Sequence, residues 1–153
     1  MVCGNPEPHD AKMADERVRV WVVDDQASFR MATAATLAAM DDFVMAGECE
    51  NGESAIELIR DGDAGILLMD IHMPGMGGIE ATRRIGATDP DLMVLLMSTY
   101  SVEDLPAGAA DCGAVAYLHK EQLSPDLLTW LWRHRRTQKT SPVTGHAISA
   151  ASS

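Results

Sequence analysis

The feature that most constrains the fold is a set of short apolar runs, most of which stop at or just before a polar or charged side chain. They are Val18 to Val23, Phe43 to Cys49, 65–70, Leu92 to Met97 and Val115 to Leu118. Segments with apolar residues at helical spacing separate these runs. Strands alternating with helices in this way are typical of βαβ units around a mostly parallel sheet. The sequence therefore predicts an α/β fold with five strands.

Five helices are predicted from the same spacing, around Ala27 to Met40, 55–59, 79–85, 102–112 and 124–136. The helix over 102–112 should be short or irregular, because Pro106 and Gly108 disfavour helical backbone. The last helix has the clearest start, since Ser124 can cap it and Pro125 suits its first turn. We expect these helices to cover both faces of the sheet.

Length and composition indicate one globular domain. The chain has 153 residues, of which 46% are hydrophobic and 23% are charged, close to an average soluble domain. Its two ends, 1–16 and 138–153, are rich in small and turn-forming residues without periodicity. We therefore expect two flexible tails around a domain over 17–137, with no second domain.

The charge balance argues against two classes of partner. The net charge is −11, which disfavours direct binding to nucleic acid or to an anionic membrane surface. No apolar run reaches the roughly 18 residues that a membrane-spanning helix needs. Cys3, Cys49 and Cys112 are widely spaced, so they indicate neither a disulfide framework nor a zinc site. We expect a cytoplasmic protein with reduced thiols.

Five polar side chains fall at or near the ends of the predicted strands: Asp24, Asp25, Asp70, Ser98 and Lys120. The carboxyl ends of parallel strands share one edge, where open α/β sheets bind ligands. Three carboxylates there would repel one another, but a Mg²⁺ ion and the Lys120 ammonium would balance their charge, and Mg²⁺ prefers oxygen ligands. Asp70 precedes a Gly-rich turn that leaves room for a phosphoryl donor. We therefore interpret Asp70 as a nucleophile that accepts a phosphoryl group.

Four segments resemble the signature motifs of response-regulator receiver domains in two-component signalling. They are 22–25 (VVDD), 69–78 (MDIHMPGMGG), 96–98 (LMS) and 117–120 (YLHK). The resemblance spans residues 18–120, and the intervals of 28 residues from Asp70 to Ser98 and 22 from Ser98 to Lys120 also match. It implies a flavodoxin-like fold, a doubly wound five-stranded parallel sheet of order 2-1-3-4-5 flanked by five helices.

The resemblance also implies how the acidic residues divide their work. Asp25 and Asp70 would be direct Mg²⁺ ligands, Asp24 would assist mainly through water, and the main-chain carbonyl of His72 would complete the shell. Asp70 would be the phosphorylation site. The rings of His72 and Tyr100 would flank the phosphoryl group and slow its hydrolysis.

For the remaining motif residues, the resemblance implies binding and switching roles. Ser98 would hydrogen-bond the phosphoryl oxygens and Lys120 would pair with them, while Tyr117 would turn inward when Ser98 moves. The chain departs from the commonest family pattern after Lys120, where Glu121 stands in place of proline. Because a cis peptide bond without proline costs about 2.5 to 4 kcal/mol, the geometry of this turn is open at this stage.

The function implied is that of a single-domain response regulator. A sensor histidine kinase or a histidine phosphotransfer protein would phosphorylate Asp70, and the surface formed by 102–136 would then select a protein partner or a second copy of the chain. The protein would be a phosphoacceptor and not an enzyme acting on an external substrate. One alternative is a small-molecule phosphatase of the dehalogenase type. Such enzymes are similar in having a D-x-D pattern after the nucleophile's strand, but here His72 occupies the position of the second acid. The other is a degenerate receiver used as a scaffold, although every charged site residue is present.

Overall fold

The structure is a computed structural model that describes residues 17–59, 64–88, 91–99, 106, 108–135 and 143–144. Its centre is a parallel sheet of six strands in the order β2-β1-β3-β4-β5-β6. The strands are β1 Val18–Val23, β2 Phe43–Cys49, β3 Gly65–Asp70, β4 Leu92–Ser98, β5 Ala116–His119 and β6 Val143–Thr144. The predicted fold class and the order 2-1-3-4-5 for the first five strands are confirmed.

The described residues contain four α-helices and two short 3₁₀ turns. The helices are α1 Ala27–Ala38, α2 Gly52–Leu58, α3 Gly78–Thr88 and α4 Pro125–Arg133, and the turns are Ala109–Asp111 and Lys120–Gln122. Ser124 caps α4 as predicted, since its Oγ accepts a hydrogen bond from Leu127 N at 3.1 Å.

The helix predicted over residues 102–112 is described only in part, and the described part is irregular, as Pro106 and Gly108 predict. Residues 102–105 and 107 lie outside the described residues, and the described remainder holds a 3₁₀ turn rather than an α-helix. Gly108 precedes that turn with a φ of 91°, a left-handed conformation that a right-handed helix cannot pass through. The backbone therefore enters Ala109–Asp111 as a separate short turn.

Two apolar clusters cover the two faces of the sheet. Every residue of β3 and β4 is buried. Along β3, Leu67 and Met69 belong to the cluster under α2 and α3, whereas Ile66 and Leu68 belong to the cluster under α1 and α4. Because burying one large aliphatic side chain contributes about 1.5 to 3 kcal/mol, these two central strands form the most firmly held part of the fold.

Strand register brings the polar strand ends level with one another. Asp70 pairs with Met97, and Ser98 pairs with His119. Asp24 follows β1 directly, and its N–H donates to Cys49 O at 3.1 Å. The carboxyl ends of β1, β3, β4 and β5 therefore open onto the same edge of the sheet, as the sequence predicts.

Part of the segment expected to be a C-terminal tail belongs to the sheet. Val143 and Thr144 pair with Ala116 and Tyr117 of β5. The rest of 138–153, and all of 1–16, lies outside the described residues. None of the helices in the described part of the chain has both the length and the apolarity needed to cross a bilayer.

Candidate functional site

The structure brings the predicted site residues together at the carboxyl edge of the sheet. Carboxylate oxygens of Asp24, Asp25 and Asp70 all lie within 4.8 Å of one another. The Lys120 Nζ lies 2.6 Å from Asp24 Oδ2 and 3.7 Å from Asp70 Oδ2. Asp24 and Asp70 are buried, while Asp25 is exposed. The pocket is therefore anionic, with one cation inside it and one carboxylate at its mouth.

Lys120 is held in place by more than its two carboxylate partners. Its Nζ also donates to Gln26 Oε1 at 3.4 Å and lies 4.8 Å from the centre of the Phe29 ring. Both residues belong to the segment that follows Asp25. The sequence pattern predicts no role in the site for either residue, although their position directly after the acidic pair places them beside the strand ends.

The turn that presents Lys120 keeps trans geometry. The described residues contain no cis peptide bond. In place of a proline constraint, the His119 ring accepts a hydrogen bond from Glu121 N at 3.1 Å, and its other nitrogen contacts Thr99 O at 2.9 Å. Glu121 N–H occupies Nδ1, so the proton sits on Nε2 and is donated to Thr99. His119 thus joins the turn at Lys120 to the residue after Ser98.

Asp70 occupies a crowded backbone environment. His72 N–H donates to Asp70 Oδ1 at 3.3 Å. Gly78, the first residue of α3, lies so close that a Cβ there would overlap with the Asp70 carbonyl oxygen. The loop between them is held by Glu53 of α2, whose Oε2 accepts from Met76 N at 3.2 Å. The Gly-rich segment after Asp70 is therefore needed for close packing as well as for turning.

The environment of the pocket makes the Asp70 carboxyl group harder to deprotonate than a carboxyl group in water. Burial is the largest cause and the Asp24 carboxylate the second, and together they raise the pKa of Asp70 from 3.8 to about 6. The Lys120 ammonium and the His72 N–H act in the opposite direction without cancelling the rise. Asp70 is still mainly ionised at pH 7, which a nucleophilic carboxylate requires.

The two residues predicted to form the switch are both buried. Ser98 is 1% exposed and Tyr117 is 3% exposed. The Tyr117 ring belongs to the apolar cluster that includes Leu96 and Cys112, and its hydroxyl has no hydrogen-bond partner within the described residues. In this structure the Tyr117 ring therefore already occupies the inward position, and no further inward rotation is needed to reach it. His72, by contrast, is exposed, and Tyr100 lies outside the described residues.

The donor set suits a hard divalent cation such as Mg²⁺. Three carboxylates offer oxygen ligands, and a single Lys120 ammonium leaves two of their charges unbalanced. Mg²⁺ is commonly bound through one or two carboxylates with several waters retained, and exposed Asp25 leaves the cluster open to water. Asp24, Asp25 and Asp70 are the residues that would hold the ion.

Comparison with known proteins agrees with this arrangement. The model of the response regulator receiver domain family matches residues 20–131. The transcriptional regulatory protein DegU of Brevibacillus brevis is 34% identical over 107 residues, covering 70% of this chain and 45% of that protein. The response regulator UvrY of Escherichia coli K12 is 33% identical over 103 residues, covering 67% and 47%. The chain thus spans about half the length of these relatives.

Solved structures lead to the same family. The response regulator domain of Thermotoga maritima CheB is 30% identical, with a TM-score of 0.60, and the match covers 81% of this chain and 97% of that domain. The structural likeness extends over nearly the whole of that domain.

Proposed function

Because this chain belongs to the response regulator receiver domain family, we propose that it accepts a phosphoryl group on Asp70 and passes the signal on by changing shape. The donor is the phosphohistidine of a sensor histidine kinase or of a histidine phosphotransfer protein, and the reaction depends on Mg²⁺. The observation that carries the proposal is the pocket itself, in which Lys120 and the carboxylates of Asp24 and Asp25 lie around the Asp70 carboxylate. The proposed location of this transfer is the cytoplasm.

The transfer step needs little rearrangement of this pocket. An Asp70 carboxylate oxygen attacks phosphorus, a new O–P bond forms, and the N–P bond to the donor histidine breaks. The leaving imidazole nitrogen keeps the electron pair and takes up a proton. Lys120, 3.7 Å from Asp70, lies close enough to pair with the transferring oxygens. A Mg²⁺ ion held by Asp24, Asp25 and Asp70 would supply further neutralisation of the charge on the phosphoryl group.

The acyl phosphate would be returned to the carboxylate by water, which attacks phosphorus and releases inorganic phosphate. The protein is therefore proposed to be a phosphoacceptor that dephosphorylates itself, not an enzyme with an external substrate. The dehalogenase alternative needs a second acid two residues after the nucleophile, and His72 stands there with its side chain exposed. A degenerate scaffold would not need Lys120 enclosed between Asp24 and Asp70.

The signal would leave the pocket through Ser98 and the elements next to it. A phosphoryl group brings about two negative charges and three acceptor oxygens, which favour movement of the Ser98 hydroxyl towards it. Ser98 is tied to the Lys120 turn through Thr99 and His119. Tyr117, already inside, would be held there when Ser98 moves. The surface formed by 102–136 would then change its shape.

The proposed output of that surface is a protein contact rather than direct DNA binding. DegU is named as a transcriptional regulator, but the match to it covers less than half of that protein. The net charge of −11 disfavours contact between this chain and a phosphate backbone. A protein partner or a second copy of the chain is the proposed target.

The proposal is tested by incubating the protein with acetyl phosphate and Mg²⁺ and measuring the intact mass. We expect addition of one phosphoryl group to the wild type and none to Asp70→Asn. Asp126→Asn, which makes the same chemical change on the first turn of α4, should be labelled normally. Asp25→Ala should lose both labelling and Mg²⁺ binding. Equal labelling of the wild type and Asp70→Asn would refute the assignment.

The switch has a separate test. Amide exchange with beryllofluoride as the phosphoryl mimic should change protection mainly in residues 98–120, and the change should depend on Ser98. If the changes stay near Asp70, or persist in full in Ser98→Ala, the proposed route of the signal is wrong even though the phosphorylation site stands.

A further inference from the structure

Arg30, the only charged residue of α1, forms a hydrogen bond to the main chain of the acidic pocket. Arg30 Nη1 donates to the Asp24 carbonyl oxygen at 2.6 Å, and Arg30 Nε donates to Glu48 Oε1 at 2.8 Å. The Arg30 side chain is 16% exposed and that of Glu48 is 49% exposed. The guanidinium therefore lies mostly below the surface, between the ends of β1 and β2, with its charge offset by the more exposed Glu48.

The Asp24 carbonyl belongs to the peptide unit whose nitrogen is that of Asp25. A peptide unit is planar, so fixing its oxygen also fixes the direction in which the chain continues into Asp25. On the other side, Gln26 N donates to Asp24 Oδ1 at 2.8 Å. The short segment that carries both carboxylates is thus held by its main chain and by its side chain, and Arg30 supplies the main-chain contact.

We infer that Arg30 is a positioning residue that orients the Asp24–Asp25 peptide so that the Asp25 carboxylate meets those of Asp24 and Asp70 at a divalent cation. The inference rests on the proposed Mg²⁺-dependent function. It assigns Arg30 no contact with the ion or with the phosphoryl group. Glu48 also contributes, because it neutralises the guanidinium and so limits the repulsion between Arg30 and the ion.

This role can be separated from simple electrostatics because the two make opposite predictions. Removing a positive charge close to three carboxylates should, on Coulomb grounds alone, strengthen the binding of a cation. Loss of a positioning contact should weaken it. Partners that orient metal ligands typically contribute about 10- to 100-fold in affinity.

The experiment is a Mg²⁺ titration of the full chain by calorimetry, with the amide resonance of Asp25 followed by NMR. For Arg30→Met we expect at least about tenfold weaker Mg²⁺ binding and a shifted Asp25 resonance before any metal is added. Glu48→Gln is the matched control, because its amide oxygen can still accept from Arg30. It should show a smaller loss that shrinks as salt is added, with the Asp25 resonance nearly unchanged.

Mg²⁺ binding by Arg30→Met that equals or exceeds that of the wild type would overturn the inference, as would a loss no larger than that of Glu48→Gln and equally sensitive to salt. If Arg30→Met does not fold, Arg30→Lys takes its place. A lysine has a single nitrogen, which cannot bind both acceptors in the geometry that the guanidinium provides. Weaker binding then supports the inference and wild-type affinity overturns it. A wild-type protein that binds no Mg²⁺ refutes the proposed function, and the inference with it.

Discussion

Replacing Asp70 by asparagine should make the metal-free protein more stable while abolishing its phosphorylation. The reason is the unfavourable setting of the carboxylate, whose pKa is raised from 3.8 to about 6 by burial and by Asp24. A change of that size corresponds to at most about 3 kcal/mol of folding free energy spent on keeping Asp70 ionised at pH 7. Asparagine has a similar shape and carries no charge, and Lys120 keeps its 2.6 Å contact with Asp24.

The pH dependence follows from the direction of the pKa change. The folded protein holds the Asp70 proton more tightly than the unfolded chain does, so between about pH 4 and pH 6 the wild type loses stability as the pH rises, relative to Asp70→Asn. The two proteins should therefore be nearly equal in stability near pH 4. The advantage of Asp70→Asn should develop through pH 6 and level off by pH 7.

The assay is urea unfolding of both proteins in EDTA at several pH values, repeated with Mg²⁺. Added Mg²⁺ should stabilise the wild type more than the variant, because only the wild type keeps all three carboxylates, and should narrow or reverse the difference. If Asp70→Asn is no more stable than the wild type at pH 7 in EDTA, the argument that burial and Asp24 disfavour the Asp70 charge is refuted.

Three further predictions concern other parts of the site. Lys120→Met should lose most labelling by acetyl phosphate, and its urea midpoint in EDTA should fall because two buried carboxylates lose their cation; a fully labelled variant would contradict the role of the lysine. Tyr117→Phe removes a buried hydroxyl that has no partner among the described residues, so urea unfolding should show unchanged stability or a gain of about 1 kcal/mol, and a clear loss of stability would contradict this. Gly78→Ala should cost more than about 2 kcal/mol and reduce labelling, because its methyl group overlaps with the Asp70 carbonyl. Gly86→Ala, in open space on the same helix, should instead stabilise by about 0.5 to 1 kcal/mol; equal effects at the two glycines would refute the packing argument.

The fold and the position of the acidic pocket could be predicted from the sequence because both follow from simple periodicities. Apolar runs identify the strands, and parallel strands must align their carboxyl ends, so Asp24, Asp70 and Lys120 meet whatever the details of packing. Local backbone conformation was less accessible. Pro106 and Gly108 predict an irregular element over 102–112, but they do not predict the left-handed φ that Gly108 adopts.

Contacts between side chains of different elements were the hardest feature to predict from the sequence. Arg30 stands out in α1 as the only charge, but its bond to the Asp24 carbonyl depends on how α1 packs beside β2. The His119 ring that secures the turn after β5 could not be told from an exposed strand-end residue. Burial of Tyr117 likewise depends on the packing around the described turn at Ala109–Asp111.

The complete burial of β3 and β4 has a consequence for how fast different parts of the molecule can respond. Two strands covered on both faces can exchange their amide hydrogens only through rare large-scale opening, so the centre of the sheet acts as a stiff support on any signalling timescale. The short 3₁₀ turns at Ala109–Asp111 and Lys120–Gln122 are less protected, because each contains only three residues and gains little from cooperative hydrogen bonding. The end of β3 therefore lies between a firmly buried sheet and two short turns that are easier to rearrange. Movement that follows phosphorylation of Asp70 is therefore expected on the β5 side of the molecule rather than across the buried strands.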